Sequence, residues 1–448
     1  MKRVVCYTLV FLGMIVSLSS SAEKKVIYGV GEPLVMMGVT ADKNSASFSA
    51  AEYLLDAMNF GAIREWMHLT DILNSPLSPK ADAVRKYSDA LDMYARLGIE
   101  ITGMSHTWFI VDKDGTTKPV NGKMYRRDTT EGSLYLQSLQ AIEQAWKTMS
   151  AKFPQVTQWE VGNEWNTSDF LNVYPDDTAP LTDAERMEIA TDMMYYAYRG
   201  VKQGNPNASV VSFSPAIAMP SFPSSDGNMQ LVPFTNPGYG IALALSRVYG
   251  NIKSGRFPAG LPADNDPDHY FDVVAWHPYM FTGMNPQIVS EVYPGLGRFY
   301  REEHIDALWQ NVNDMAYNIM VMNGDADKKV VFTEVGFNDM HDARKEQEHL
   351  QEYERLFSMV TETMPYVKTV FLFRLLTDAG IGGLQEYQFG MFWRGMKTYN
   401  EWLGSSEWNG RMEPYKEVYP DFTPRPKAYV IQKITGGTKP LELPEKSR

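Results

Sequence analysis

Cysteine is nearly absent from this chain of 448 residues, where Cys6 is the single example. It lies in "MKRVVCYTLVFLGMIVSLSSSAEKK": Lys2 and Arg3 precede an apolar stretch from Val4 to Val16, and Ser20-Ser21-Ala22 offers small residues before Glu23. That layout is expected of a secretory signal peptide over residues 1–22, and the apolar stretch is short for a membrane span. Its removal would leave no thiol, hence neither a disulfide nor a cysteine-based metal site. The expected product is secreted or periplasmic. Without cross-links it depends on a large core, which residues 23–448 are long enough to supply as one domain.

Other things are scarce too. No further segment approaches ~18 uninterrupted apolar residues, so no integral membrane segment is expected in the mature chain. Positive charge is in deficit: 42 Lys and Arg against 54 Asp and Glu give −12, and loss of Lys2 and Arg3 with an acid-free segment makes it −14. With no basic block, a nucleic-acid partner is not expected. The 7 histidines include no HxH or HExxH spacing, which argues against a zinc hydrolase, and no metal is assigned. No Gly-rich phosphate cradle follows the first strand and no nucleophile elbow is present, so no cofactor and no serine triad are expected. Aromatic residues, by contrast, make up 12% of the chain. They serve either a large core or stacking platforms for sugar rings, and composition does not choose between the two.

What recurs is a short apolar run, a polar loop and a longer amphipathic segment, the alternation of βα units around a parallel sheet. Eight strands are predicted: Leu34–Val39, Ala62–Trp66, Ile99–Met104, Thr157–Gly162, Ser209–Phe213, Phe271–Trp276, Val330–Thr333 and Thr369–Phe373. Helices are predicted over Ala81–Leu97, Gly132–Lys152, Asp183–Gln203, Glu302–Met322 and His341–Thr363, with Thr182 and Glu185 spaced as a capping box. Eight strands with intervening helices predict an α/β fold, the (β/α)8 TIM barrel.

In that fold the residues that do chemistry lie where strands end. Strand 2 carries Arg64 in "AIREWM", and strand 3 runs into "GMSHTW" with His106 and Trp108. Strand 4, in "TQWEVGNEWN", delivers Asn163 and Glu164 together; strand 6 ends "VVAWHPY" with His277 and Tyr279; strand 7, "KVVFTEVGF", delivers Glu334. Two glutamates at one barrel mouth, ~5 Å apart, are what a retaining glycosidase requires: one to give a proton to the departing oxygen, one to attack the anomeric carbon. Glu160 is the next candidate acid should Glu164 not serve. Asp378 reads as a loop ligand rather than a catalyst.

"VGNEWN" resembles the acid/base signature of glycoside hydrolase clan A, "FTEVGF" its nucleophile signature, and "WHPY" the His-x-Tyr of families 5 and 39. "TPRPKAY" (Thr423–Tyr429) resembles the run that opens the last helix of such barrels, and the similarity spans roughly Tyr28 to Tyr429. The resemblance implies a carbohydrate substrate, with Glu164 as acid/base and Glu334 as nucleophile. It further implies that Asn163 binds the sugar 2-hydroxyl, that Tyr279 hydrogen-bonds Glu334, that Arg64 lowers the pKa of Glu334, and that His277 contacts the acid/base or the sugar. A purely structural ion pair of Arg64 with Glu65 or a neighbouring acid is the competing expectation. His106, Trp108, Arg374 and Trp393 are the further candidates for substrate contacts.

Two departures stand out. Strand 8 reads "TVFLFRLLTD", with Phe373 and Arg374 where clan members usually carry a tryptophan floor. An insertion over 386–422 holds Trp393, Trp402 and Trp408, which form either sugar platforms or a packing flap. The loop from Ala216 to Tyr270 offers Phe222, Phe234, Tyr239 and Phe257 as subsite linings. The alternative function is a carbohydrate-binding protein on a glycosidase barrel that has lost activity. An isomerase or aldolase barrel fits less well, since no lysine at a strand end is poised for a Schiff base.

Overall fold

A strand that begins each unit, a helix that returns the chain, and eight repetitions of the pair define the architecture. The computed structural model describes residues 26–175, 179–216, 239–255, 264–279, 305–337, 343–378, 389–394 and 420–444. The barrel strands are β1 (Ile27–Gly31), β2 (Ala62–Trp66), β3 (Glu100–Met104), β4 (Gln158–Glu160), β5 (Ser209–Val211), β6 (Val273–Trp276), β7 (Lys329–Val335) and β8 (Val367–Phe373). All neighbours are parallel, and β1 pairs with both β2 and β8, so the sheet closes. The helices that follow them are α1 (Ala46–Ala57), α2 (Ala81–Arg96), α3 (Leu134–Lys152), α4 (Asp183–Gly204), α5 (Tyr239–Lys253), α6 (Ile305–Met322), α7 (Ala343–Thr363) and α8 (Pro426–Thr435). The molecule is a TIM barrel.

Helix α4 begins with the capping box expected from sequence: the Thr182 hydroxyl accepts from the Glu185 backbone N–H, and the Glu185 carboxylate accepts from that of Thr182. The first strand is a correction. It is Ile27–Gly31, whereas the predicted Leu34–Val39 folds as turns closed by Met37 N–H to Pro33 O and Val39 N–H to Leu34 O. The reason is steric. A Cβ on Gly29 would stand 2.4 Å from the carbonyl oxygen of Ala62, so the closing contact of β1 on β2 needs a glycine, and glycine masks the apolar pattern of a strand.

The core has two compartments. A small cluster of Ala62, Val211, Val273, Ala275, Val331 and Phe371 plugs the barrel, and a much larger one fills the layer between strands and helices. The bore is thus filled with apolar side chains, and the polar groups of a TIM-barrel site gather where the strands finish. No helix among the described residues is long and apolar enough to cross a membrane.

Candidate active site

The site is built from strand ends. On β2 the side chains alternate, so Arg64 points into the barrel and Glu65 outward. Glu65 therefore does not pair with Arg64; it sits beneath helix α2, accepting from the Tyr94 hydroxyl at 2.8 Å and the Val35 N–H at 3.3 Å. Burial, with the charge of Glu32 adding to it, pushes its carboxyl up to about 8. Arg64, fully buried, donates from Nε and Nη2 to Glu160 (2.5 and 3.0 Å), from Nη1 to Glu334 (2.6 Å) and from Nη2 to Asn163 Oδ1 (2.7 Å). Burial alone would pull its pKa down, but the charges of Glu160 and Glu334 outweigh that and raise it, so it is a fixed cation.

The chain leaving β4 explains why an amide and a carboxylate stand back to back. Asn163 bridges to Ser214 beside β5, and the Glu164 N–H bonds the Ser214 carbonyl at 3.0 Å. Glu164 then adopts a left-handed backbone, φ 48°, which breaks the alternation and lets both side chains serve one mouth. Gly162 makes room for the turn: a Cβ there would stand 2.4 Å from the Trp165 ring, which folds back against Phe213 and Trp108. On β7 a register irregularity between Phe332 and Val335 has a similar effect. Thr333 and Glu334, successive residues, both reach the interior: the Thr333 hydroxyl donates to Ser214 (2.5 Å), the Ser214 hydroxyl to Glu160 (2.5 Å), and Glu334 takes Arg64.

Glu334 accepts a second bond, 2.7 Å, from the Tyr279 hydroxyl, while His277 Nδ1 lies 2.7 Å from Glu164 and 3.6 Å from Glu334. One donor or acceptor atom from each of Glu164, His277 and Glu334 lies within 4.8 Å of the others. Burial raises the Glu334 carboxyl, but the charges of His277 and Arg64 and the Tyr279 hydrogen bond prevail and hold it below the usual range. Burial also opposes a charge on His277; Glu334 and the bond to Glu164 overcome it and raise the pKa. Tyr279 is raised well above its ordinary value by burial and then by Glu334, so it stays a donor. A carboxylate–imidazole–carboxylate set also has donors for a divalent cation, but the guanidinium already 2.6 Å from Glu334 repels one.

Six of the ten residues singled out in the sequence thus meet at one mouth: Glu164, Glu334, Asn163, Arg64, His277 and Tyr279. His106 stands beside them, its ring 4.1 Å from His68 and 6.2 Å from Trp66, and burial with Arg64 nearby lowers its pKa to about 4. Trp108, Arg374 and Trp393 do not offer surfaces to a substrate. Trp108 is buried in the hairpin of Thr107–Val111 and Thr117–Asn121, its Nε1 donating to the Lys123 carbonyl. Arg374 is buried on Glu32 at 2.7 Å. Trp393 is 2% exposed, with the Arg425 guanidinium 4.2 Å from its ring centre, so that face is taken. Trp402, Trp408, Phe222, Phe234 and Phe257 lie outside the described residues. Ser214 and Thr333 went unmarked in the sequence because a short hydroxyl inside a strand carries no signal of its own. His68 and Trp66 sit at the end of β2 and could have been found by the same reading that found His106.

No protein-family model matches this sequence, nor does any curated protein sequence. Solved structures do match. A family 39 glycoside hydrolase from Bacteroides cellulosilyticus WH2 aligns over 92% of this chain and 64% of its own, with TM-score 0.50 and 16% identity. What the two share is the TIM-barrel fold. The exo-beta-1,4-mannosidase Op5Man5 from Opitutaceae bacterium strain TAV5 aligns over 92% of this chain and 60% of its own, with TM-score 0.52 and 12% identity. A beta-glycosidase from Pyrococcus horikoshii matches over 94% and 96%, with TM-score 0.50 and 13% identity. The chain spans less than two thirds of the length of the first two.

Proposed function

We propose that this chain is a retaining glycoside hydrolase, exported with residues 1–22 removed, that cleaves O-glycosidic bonds in a polysaccharide or oligosaccharide. The observation that carries this reading is the pair of carboxyl oxygens of Glu164 and Glu334 lying within 4.8 Å, with Arg64 and Tyr279 both donating to Glu334. Retaining glycosidases hold their carboxyls about 5–5.5 Å apart, too close for water to stand between the sugar and the second acid.

In the first step Glu164 gives its proton to the glycosidic oxygen as the bond from that oxygen to the anomeric carbon breaks. A Glu334 oxygen bonds the same carbon from the opposite face, forming a glycosyl ester. In the second step Glu164, now ionised, takes a proton from water; the water oxygen bonds the anomeric carbon and the ester breaks, restoring Glu334. Two inversions give net retention. Asn163 accepts Arg64 on Oδ1, which leaves its NH2 to donate to the sugar 2-hydroxyl, a contact that strengthens as positive charge develops on the ring. His277, bonded to Glu164, orients the acid and follows its change of charge.

A panel of nitrophenyl glycosides and glycans tests the reading. Proton NMR of the first product should find the substrate's anomer, and a 2-fluoro glycoside of the accepted sugar should label Glu334. Inverted product, or a label elsewhere, would sink the mechanism. Binding without turnover would favour the non-catalytic alternative. N-terminal sequencing of protein from the periplasm or medium should begin near Glu23.

A further inference from the structure

Glu160 has no step in that scheme, yet it is fully buried and linked to Glu334 through Arg64. It takes two of the four Arg64 hydrogen bonds, at 2.5 and 3.0 Å, and is itself held by the Ser214 hydroxyl, which the Thr333 hydroxyl holds in turn. Arg64 therefore carries one positive charge between two acids.

We propose that Glu160 is a positioning residue that keeps Arg64 shared, so that Arg64 orients and ionises Glu334 without neutralising it. The inference rests on the functional reading for its kinetic consequence, and on the hydrogen-bond network alone for its electrostatic one. If Arg64 answered to Glu334 only, the buried pair would be tight and the carboxylate oxygens poor in electron density. Drawing the guanidinium toward Glu160 leaves Glu334 charged and nucleophilic. The groups facing Glu334 are Arg64 from β2, His106 beyond β3, Glu164 beyond β4 behind His277, and His277 and Tyr279 beyond β6. Of these, the one in direct contact with Glu160 is Arg64.

Sharing and simple anchoring predict opposite signs. Were Glu160 only an anchor, its loss would release Arg64 from Glu334 and raise the Glu334 pKa. Under sharing, Glu160→Gln hands the whole charge to Glu334. Its carboxyl titration, read by 13C-glutamate NMR and assigned with Glu334→Gln, should then move down by about one pH unit. On whichever aryl glycoside the wild type cleaves, kcat should fall about tenfold with KM within about twofold, the pattern of a contact that matters in the transition state. Glu160→Asp keeps the charge and should leave the midpoint near its wild-type position. Ser214→Ala tests the same idea with less disturbance. It strips a donor from Glu160, strengthens the pull on Arg64, and should move Glu334 slightly upward. An unchanged or raised midpoint in Glu160→Gln overturns the proposal, as does a fall or no change in Ser214→Ala if Glu160→Gln does not fold. Should the wild type cleave no glycoside, the functional reading fails and the titrations still decide the sharing.

Discussion

Two buried arginines, Arg64 on β2 and Arg374 just after β8, have the same chemistry and different uses. Arg374 donates to Glu32 at 3.1 and 2.7 Å, and Glu32 also accepts the backbone N–H groups of Leu375 and Leu376 at 2.7 and 3.1 Å. Four donors occupy that carboxylate, and it fixes the chain that leaves the barrel. Around Arg64 the acids are less saturated, and one of them, Glu334, turns its second oxygen toward Tyr279 and the mouth. A buried ion pair is therefore weak evidence of function by itself. The informative feature is an acceptor left able to act.

The sharpest way to break the comparison is to remove the carboxylates on the Arg64 side. Glu334→Gln should cost about 10⁴-fold or more in kcat. Glu164→Ala should lose most activity on poor leaving groups and much less on activated aryl glycosides, with azide restoring part of the rate. Full activity of either variant on a natural glycan would undo the assignment. On the other side, Arg374→Met leaves Glu32 buried without its cation and should destabilise the fold by about 3–5 kcal/mol in denaturant melts. Its kcat/KM on the folded protein should stay within about threefold, since both partners are buried and bonded to each other. A large loss of activity with stability intact would return Arg374 to the substrate site.

The next effect is a shift on the pH axis. The nucleophile proposed in Glu334 must be ionised, so kcat/KM should rise with pH as Glu334 loses its proton, and its depressed pKa puts that rise below the ordinary glutamate value of about 4.3. Arg64→Met removes the fixed cation and should carry the rise upward by about one pH unit or more. A rise that stays put would mean that His277 and Tyr279 suffice.

The smallest effect belongs to Glu65, the acid on the outer face of β2 that is paired with no cation among the described residues. Its folded pKa of about 8 lies above the unfolded value, so the folded state binds the extra proton. Its contribution to stability is complete below the unfolded value of about 4.3 and is lost as pH rises to about 8. Glu65→Gln should flatten that slope, with a Tm a few degrees above wild type at pH ~8.5 and little difference at pH ~4. Parallel curves for the two proteins would mean that Glu65 is charged in the fold.

The sequence was most legible where a residue type and a strand end coincide. Glu164, Glu334, His277 and Tyr279 could be named because each follows an apolar run and each belongs to a motif. The eight-strand barrel could be named because seven of its strands carry apolar runs that survive in the structure, β2 with its predicted bounds and the other six with shifted ends. β1 could not, because the closing contact with β2 demands Gly29, and a residue without a side chain leaves no pattern to read. The burial of Trp108, Arg374 and Trp393 on internal partners could not be read from the sequence, for one shared reason. Aromatic and cationic side chains look alike in sequence whether their faces meet solvent or an internal partner, and here Lys123, Glu32 and Arg425 are those partners.

The chain by itself determined which residues are able to do chemistry and the order in which the barrel presents them, since strand alternation and loop position are local properties. Tertiary structure decided the partnerships. Arg64 meets Glu160 and Glu334, 96 and 270 residues away, because closing the sheet brings their strand ends over one plugged bore. It does not meet adjacent Glu65, because a strand sends successive side chains to opposite faces. Charge pairing depends on distance through space, and only the closed barrel sets that distance.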